Sequence, residues 1–161
     1  MDINTEASAE QRLISMGIEL PNVPRPIPSF VPWKRHNDLV YLAAQNCVWN
    51  GAVVYAGKVG HAIDLETGQK AARLCALNLV AALREAVDGN LDRVMSCLRV
   101  GGFVNCTPDF TSVPHVVNGA SDCFHQIFGP AIAAHARTAI GVNQLPQGAA
   151  VAVDAVFAVT I

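Results

Sequence analysis

The sequence predicts an α+β domain, a mixed β-sheet with two main helices packed on one face. Three observations carry this. Ala71, Leu74, Cys75, Leu77, Asn78, Val80, Ala81 and Leu83 recur at helical spacing in one long run. Residues 94–105 are almost continuously apolar, the pattern of a strand buried on both faces. Near the C-terminus Val151, Val153 and Ala155 alternate with Ala152, Asp154 and Val156, which is the period of a strand.

In chain order, Ser8-Ala9-Glu10-Gln11 is a capping box that opens a short helix with Leu13, Ile14 and Ile18 on its apolar side and Gly17 near its end. Residues 21–28 contain four prolines and form an extended connector. Residues 30–34 and 39–45 read as a hairpin around His36-Asn37-Asp38. Asn50-Gly51 marks a tight turn, and Gly57 and Gly60 keep the next stretch loop-like. Asp64 or Thr67 caps the long helix, which runs to about Val87 and is closed by Asp88-Gly89-Asn90. The apolar strand 94–105 holds Gly101-Gly102, a signal of a bulge or a close backbone approach. After the Pro108-Asp109-Phe110 loop, Ser112 caps the second helix, with Pro114 in its first turn. A Gly129-Pro130 break, a strand around Arg137, the Leu145-Pro146-Gln147-Gly148 turn and the closing strand complete the order.

Composition narrows the function classes. A chain of 161 residues that is 52% hydrophobic and 15% charged builds one domain with apolar surface to spare for an oligomer interface. A net charge of -2 offers no basic footprint for nucleic acid. The absence of an 18-residue apolar run or a basic-then-apolar leader implies no membrane contact and a cytoplasmic location. Cys47, Cys75, Cys97, Cys106 and Cys123 form no C-x-x-C pair and read as reduced thiols, mostly in the core. His115 and His125 stand ten apart, and no metal, phosphate-loop or nucleophile-elbow motif occurs, so no metal or cofactor is expected.

The chemistry-bearing residues lie towards the C-terminus. Arg137 is the one strong cation in an apolar stretch, and its planar fork of donors suits either a salt-bridged edge or a carboxylate clamp. His135 would share its face on a strand and titrates near neutrality, so it is either a proton shuttle or a bystander. Asn118 in mid-helix serves packing, capping or the site. Asp154 is an acid on the closing strand.

Asn118-Gly119-Ala120-Ser121-Asp122, then His135-Ala136-Arg137-Thr138-Ala139-Ile140-Gly141-Val142, then Leu145-Pro146 and a closing V-x-V-D-A strand, together resemble the RidA/YjgF family. The resemblance runs from about Phe30 to the C-terminus. It divides the chain into an N-terminal extension, residues 1–29, and a RidA/YjgF-like, chorismate-mutase-like domain, residues 30–161. It implies a homotrimer that hydrolyses small carboxylated imines or enamines to keto acids and ammonia in an intersubunit cleft, without a cofactor. Arg137 would be the carboxylate clamp. Asn118, Trp33, His135 and Gln45 would line the ligand, the last from the hairpin that contributes to the cleft.

Two departures matter. The family's deaminating members carry a water-orienting glutamate where this chain has Ala152, which leaves Asp154, two residues on, as the candidate substitute. Ala43 and Ala44 stand where many members have Ser-Gly. A non-catalytic ligand-binding member is therefore the alternative reading, and endoribonuclease activity, the family's older label, the third.

Overall fold

The computed structural model describes residues 7–26 and 28–160. Helix α1 (Ala9–Ser15) opens on the expected capping box, with Ser8 accepting from the Gln11 amide and the Gln11 side chain answering the Ser8 amide. Its Ala9 and Leu13 are buried in the same core as the rest of the chain, so the N-terminal segment packs as part of the domain. A hairpin follows, β1 (Trp33–His36) and β2 (Leu39–Asn46), turning at Asn37 with φ 55°. A second small hairpin, β3 (Val48–Trp49) and β4 (Ala52–Val53), closes over Asn50-Gly51, both with positive φ as a tight hairpin turn requires.

Helix α2 (Leu65–Ala86) starts at Asp64, whose carboxylate accepts from the Thr67 amide. It is followed by β5 (Val94–Asn105), α3 (Val113–Phe128), the short α4 (Pro130–Ala133), β6 (Ala136–Val142) and β7 (Val151–Val159). The five-stranded sheet runs in the order β1-β2-β7-β5-β6. Only β5 and β6 pair in parallel, and the chain's last strand sits at its centre. Helices α2 and α3 cover one face, over a core that includes Phe124 and Phe157 in edge contact at 5.5 Å.

Small residues let α3 seat. A Cβ on Gly119 would lie 2.0 Å from the Gln69 carbonyl oxygen of α2, and one on Gly102 would lie 2.4 Å from Val117 of α3. The Gly101-Gly102 pair is thus a close approach; the register shifts in β5 fall earlier, between Val94 and Ser96 and between Cys97 and Arg99.

Three local expectations change. The first strand begins at Trp33 rather than at residue 30. Ser112 occupies the position before α3 but makes no side-chain cap bond, because its backbone (φ -87°, ψ 30°) is not the extended one that aims a side chain at the first turn. The apolar run of β5 is covered on both faces only in its second half: on the helix-free face Met95 is 58% and Leu98 41% exposed.

Candidate functional site

Arg137 stands at the start of β6, the sheet edge beside α3, and its Cα partner is the buried Val100. Its side chain turns to the helix face. Nη1 donates to Asn118 Oδ1 at 2.8 Å and to Ser121 Oγ at 3.1 Å, and Nη2 donates to the Pro114 carbonyl at 3.3 Å. Asn118 and Ser121 are one helical turn apart, so α3 presents both to the same side. These partners engage three of a guanidinium's five N–H donors. Nε has no partner among the described residues and Nη2 has one acceptor for its two hydrogens, so donors remain that a carboxylate can take. Every partner is neutral, and none of the ion pairs among the described residues includes Arg137. The charge is therefore fixed in direction without being cancelled.

His135 precedes β6 and reaches the same cluster. Its Nδ1 lies 2.6 Å from the Ala133 carbonyl oxygen and its Nε2 3.0 Å from Ser121 Oγ. A carbonyl only accepts, so Nδ1 carries the hydrogen, Nε2 of the neutral ring accepts, and the Ser121 hydroxyl donates to it. Burial pushes the His135 pKa below its ordinary value; the Ala133 hydrogen bond opposes this, while His125 and Arg137 add to it. The ring is held in its neutral form near pH 7. Ser121 is the member of this cluster to which the sequence assigned no role. Ser121 lies in the same run as Asn118, but a serine in mid-helix carries no periodicity that marks a role, and only the seating of α3 against β6 makes it the junction of Arg137 and His135.

The remaining candidates lie elsewhere in the chain. Trp33 is on β1, at the opposite edge of the sheet, half-buried against the core. Four strand spacings separate it from Arg137, roughly 19 Å. Gln45, 7% exposed, donates to the Ala43 carbonyl and, with Ala44, lines a cavity of about 390 Å³ walled by Pro24, Pro26, Phe30 and Pro146. Asp154 faces away from α3. Its carboxylate lies over Gly101, where a Cβ would come within 2.4 Å of it, and pairs with Arg99 at 3.0 Å. Ala152 shares that helix-free face by strand alternation and is 4% exposed. Within one chain, then, Arg137, Asn118 and His135 come together. Trp33 and Gln45 belong to the far side of the sheet, and Asp154 and Ala152 lie on the face opposite the arginine. Among the described residues no helix is long and apolar enough to cross a membrane, and no three His, Cys, Asp or Glu side chains cluster as a metal site would need.

Comparison with known proteins gives one consistent answer. A family model described as YjgF/chorismate-mutase-like, putative endoribonuclease, matches residues 10–158, starting within α1. Protein TCP17 of Trypanosoma cruzi is 36% identical over 155 residues, 96% of each chain. Among solved structures, the protein Atu1372 of unknown function from Agrobacterium tumefaciens superposes with a TM-score of 0.87 at 32% identity, covering 95% of this chain and 94% of that one. A putative endoribonuclease from Shewanella oneidensis superposes with a TM-score of 0.89 at 27% identity, covering 95% of this chain and 100% of its own.

Proposed function

The chain belongs to the YjgF/chorismate-mutase-like family, and from that premise we propose that it hydrolyses a small carboxylated imine or enamine to a keto acid and ammonia. The observation that carries this reading is Arg137: an uncancelled guanidinium, oriented by Asn118, Ser121 and the Pro114 carbonyl, with N–H donors left over for a carboxylate. The ligand class that fits it is a small molecule with a carboxylate next to the reacting carbon. The separation of Arg137 from Trp33 and Gln45 across the sheet supports a cleft completed by a second copy, in the homotrimer typical of the family.

Imine hydrolysis asks little of a protein. The carbon is already electrophilic, so what is needed is a fixed carboxylate, a water held against the carbon and a proton for the departing nitrogen. Arg137 supplies the first. Ala152 offers only a methyl group, which neither orients nor deprotonates water. That methyl favours a second reading, a member that binds a small carboxylate without turning it over. Endoribonuclease activity, named in the family description, finds no support in a chain of net charge -2.

The test is keto-acid release from 2-imino acid generated in situ from L-leucine by an amino acid oxidase. The native chain should exceed the uncatalysed rate and Arg137→Ala should not. Losing the clamp removes two charge-assisted hydrogen bonds, about 3 kcal/mol of binding or roughly a hundredfold in Kd. Tight keto-acid binding with no acceleration would establish the binding-only reading instead. Salt-sensitive cleavage of RNA would overturn both.

A further inference from the structure

We infer that Ser121 and His135 form a proton relay beside the Arg137 clamp, taking a proton from the attacking water and returning it to the departing nitrogen. The inference rests on the deamination reading and answers the question that Ala152 raises: which group handles the water.

The geometry has the parts of a relay. His135 Nδ1–H is tied to the Ala133 carbonyl, which fixes the ring's orientation and leaves Nε2 as the base. Ser121, 9% exposed, donates its hydroxyl hydrogen to Nε2 and accepts from Arg137. A hydroxyl oxygen has two lone pairs, so one remains to receive a hydrogen bond from water. That water would stand next to the guanidinium that holds the substrate carboxylate, one bond from the imine carbon. Without the histidine a serine hydroxyl is too weak a base to take the proton, and Ser121 Oγ is the atom that links His135 Nε2 to the Arg137 guanidinium.

The steps balance. A water hydrogen passes to Ser121 Oγ as the serine's own hydrogen passes to His135 Nε2. The water oxygen bonds to the iminium carbon, and the C=N electron pair moves to nitrogen. The imidazolium then returns a proton through Ser121 to the amine of the carbinolamine. The C–N bond breaks with its electrons on nitrogen, C=O forms from the carbinolamine hydroxyl, and that hydroxyl's proton passes to the departing ammonia. Iminium and water become keto acid and ammonium, with both residues restored.

The groups that bear on the ring are few. His125 of α3 lies 6.3 Å away between ring centroids, Arg137 lies on β6, Phe124 meets the ring edge-on at 6.4 Å, and α4 brings no charged residue. Both charged or titratable neighbours disfavour an imidazolium, as burial does. The base form is therefore the resting form near neutrality, and the acid limb of the reaction should lie below pH 6.5.

The experiment compares native protein, Ser121→Ala, His135→Gln and Arg137→Ala in the oxidase-coupled assay. Affinity for 4-methyl-2-oxopentanoate is measured alongside, as a check on fold and clamp. A relay predicts that Ser121→Ala and His135→Gln bind the keto acid within about threefold of native while kcat falls roughly a hundredfold, the usual scale of general acid–base catalysis. The acid limb of the native pH profile should vanish in His135→Gln. Native kcat with an intact acid limb in either variant would overturn the relay and leave the deamination reading standing. Loss of keto-acid binding together with kcat would assign the pair to supporting Arg137, which also overturns it. A native chain no faster than the uncatalysed reaction would end the deamination reading and the relay together.

Discussion

Arg99 and Arg137 lie on adjacent strands, yet the first is neutralised by Asp154 at 3.0 Å and the second meets only neutral acceptors. The same side chain therefore does two different jobs. Arg99 and Asp154 form a partly exposed pair, 48% and 30% exposed, of the kind worth up to about 1 kcal/mol. Asp154→Ala should accordingly lower stability by no more than about 1 kcal/mol in urea unfolding and leave keto-acid release unchanged; lost turnover with intact ligand binding would instead give Asp154 a part in the chemistry. Arg137 and Asn118 were legible in the sequence because one is a lone charge in an apolar stretch and both sit in motif runs. Ser121 shares the run of Asn118 but its role was not legible, since it arises from two partners at different sequence distances. Asp154 shares the face of Ala152, as a strand's period of two dictates, but alternation along one strand says nothing about which face a neighbouring strand's arginine takes.

At the scale of elements, the long helix and the strands were legible because their periodicities, 3.6 and 2, are properties of the local sequence. Strand order is not local, and neither the central place of β7 nor the parallel pairing of β6 with β5 could be read from it. How α3 seats is set by contact. Gly119→Ala would drive a methyl group to within 2.0 Å of the Gln69 backbone oxygen, where no side-chain rotation relieves it. We expect a loss of about 3 kcal/mol, the upper end of overpacking costs, measured as a shift of the urea midpoint at constant m. The junction of α3, α4 and β6 also makes stability depend on pH through His135. Its pKa is depressed in the fold, so below about pH 6.5 the unfolded chain binds a proton that the folded chain resists. Stability should fall as pH drops through 6.5 and level off below the folded pKa, and His135→Gln should flatten that window. A native profile identical to the variant's would show that the ring is not held neutral.

Among the described residues, part of one sheet face and the outer ladder edge of β6 are left uncovered. Tyr41, Met95, Leu98 and Ile140 are each more than 40% exposed, and β6 has a free ladder edge of the kind native proteins cover. The apolar composition of β5, which suggested burial on both faces, makes sense if a second copy covers the half that one chain leaves open. The candidate residues divide the same way, with the clamp on the β6 edge and the cavity of Ala44 and Gln45 far across the sheet. A site shared between copies has a consequence that a site within one chain lacks. Arg137→Ala removes the clamp, and Ala44→Trp fills the cavity from an exposed position, so each variant alone should be inactive. Unfolded together in equal amounts and refolded, they should recover activity, because some junctions pair an intact clamp from one copy with an intact cavity from the next. In a randomly mixed cyclic trimer that is about one site in four. Recovery near a quarter of the native rate would establish the shared site. A mixture no more active than its components would return every ligand contact to a single chain.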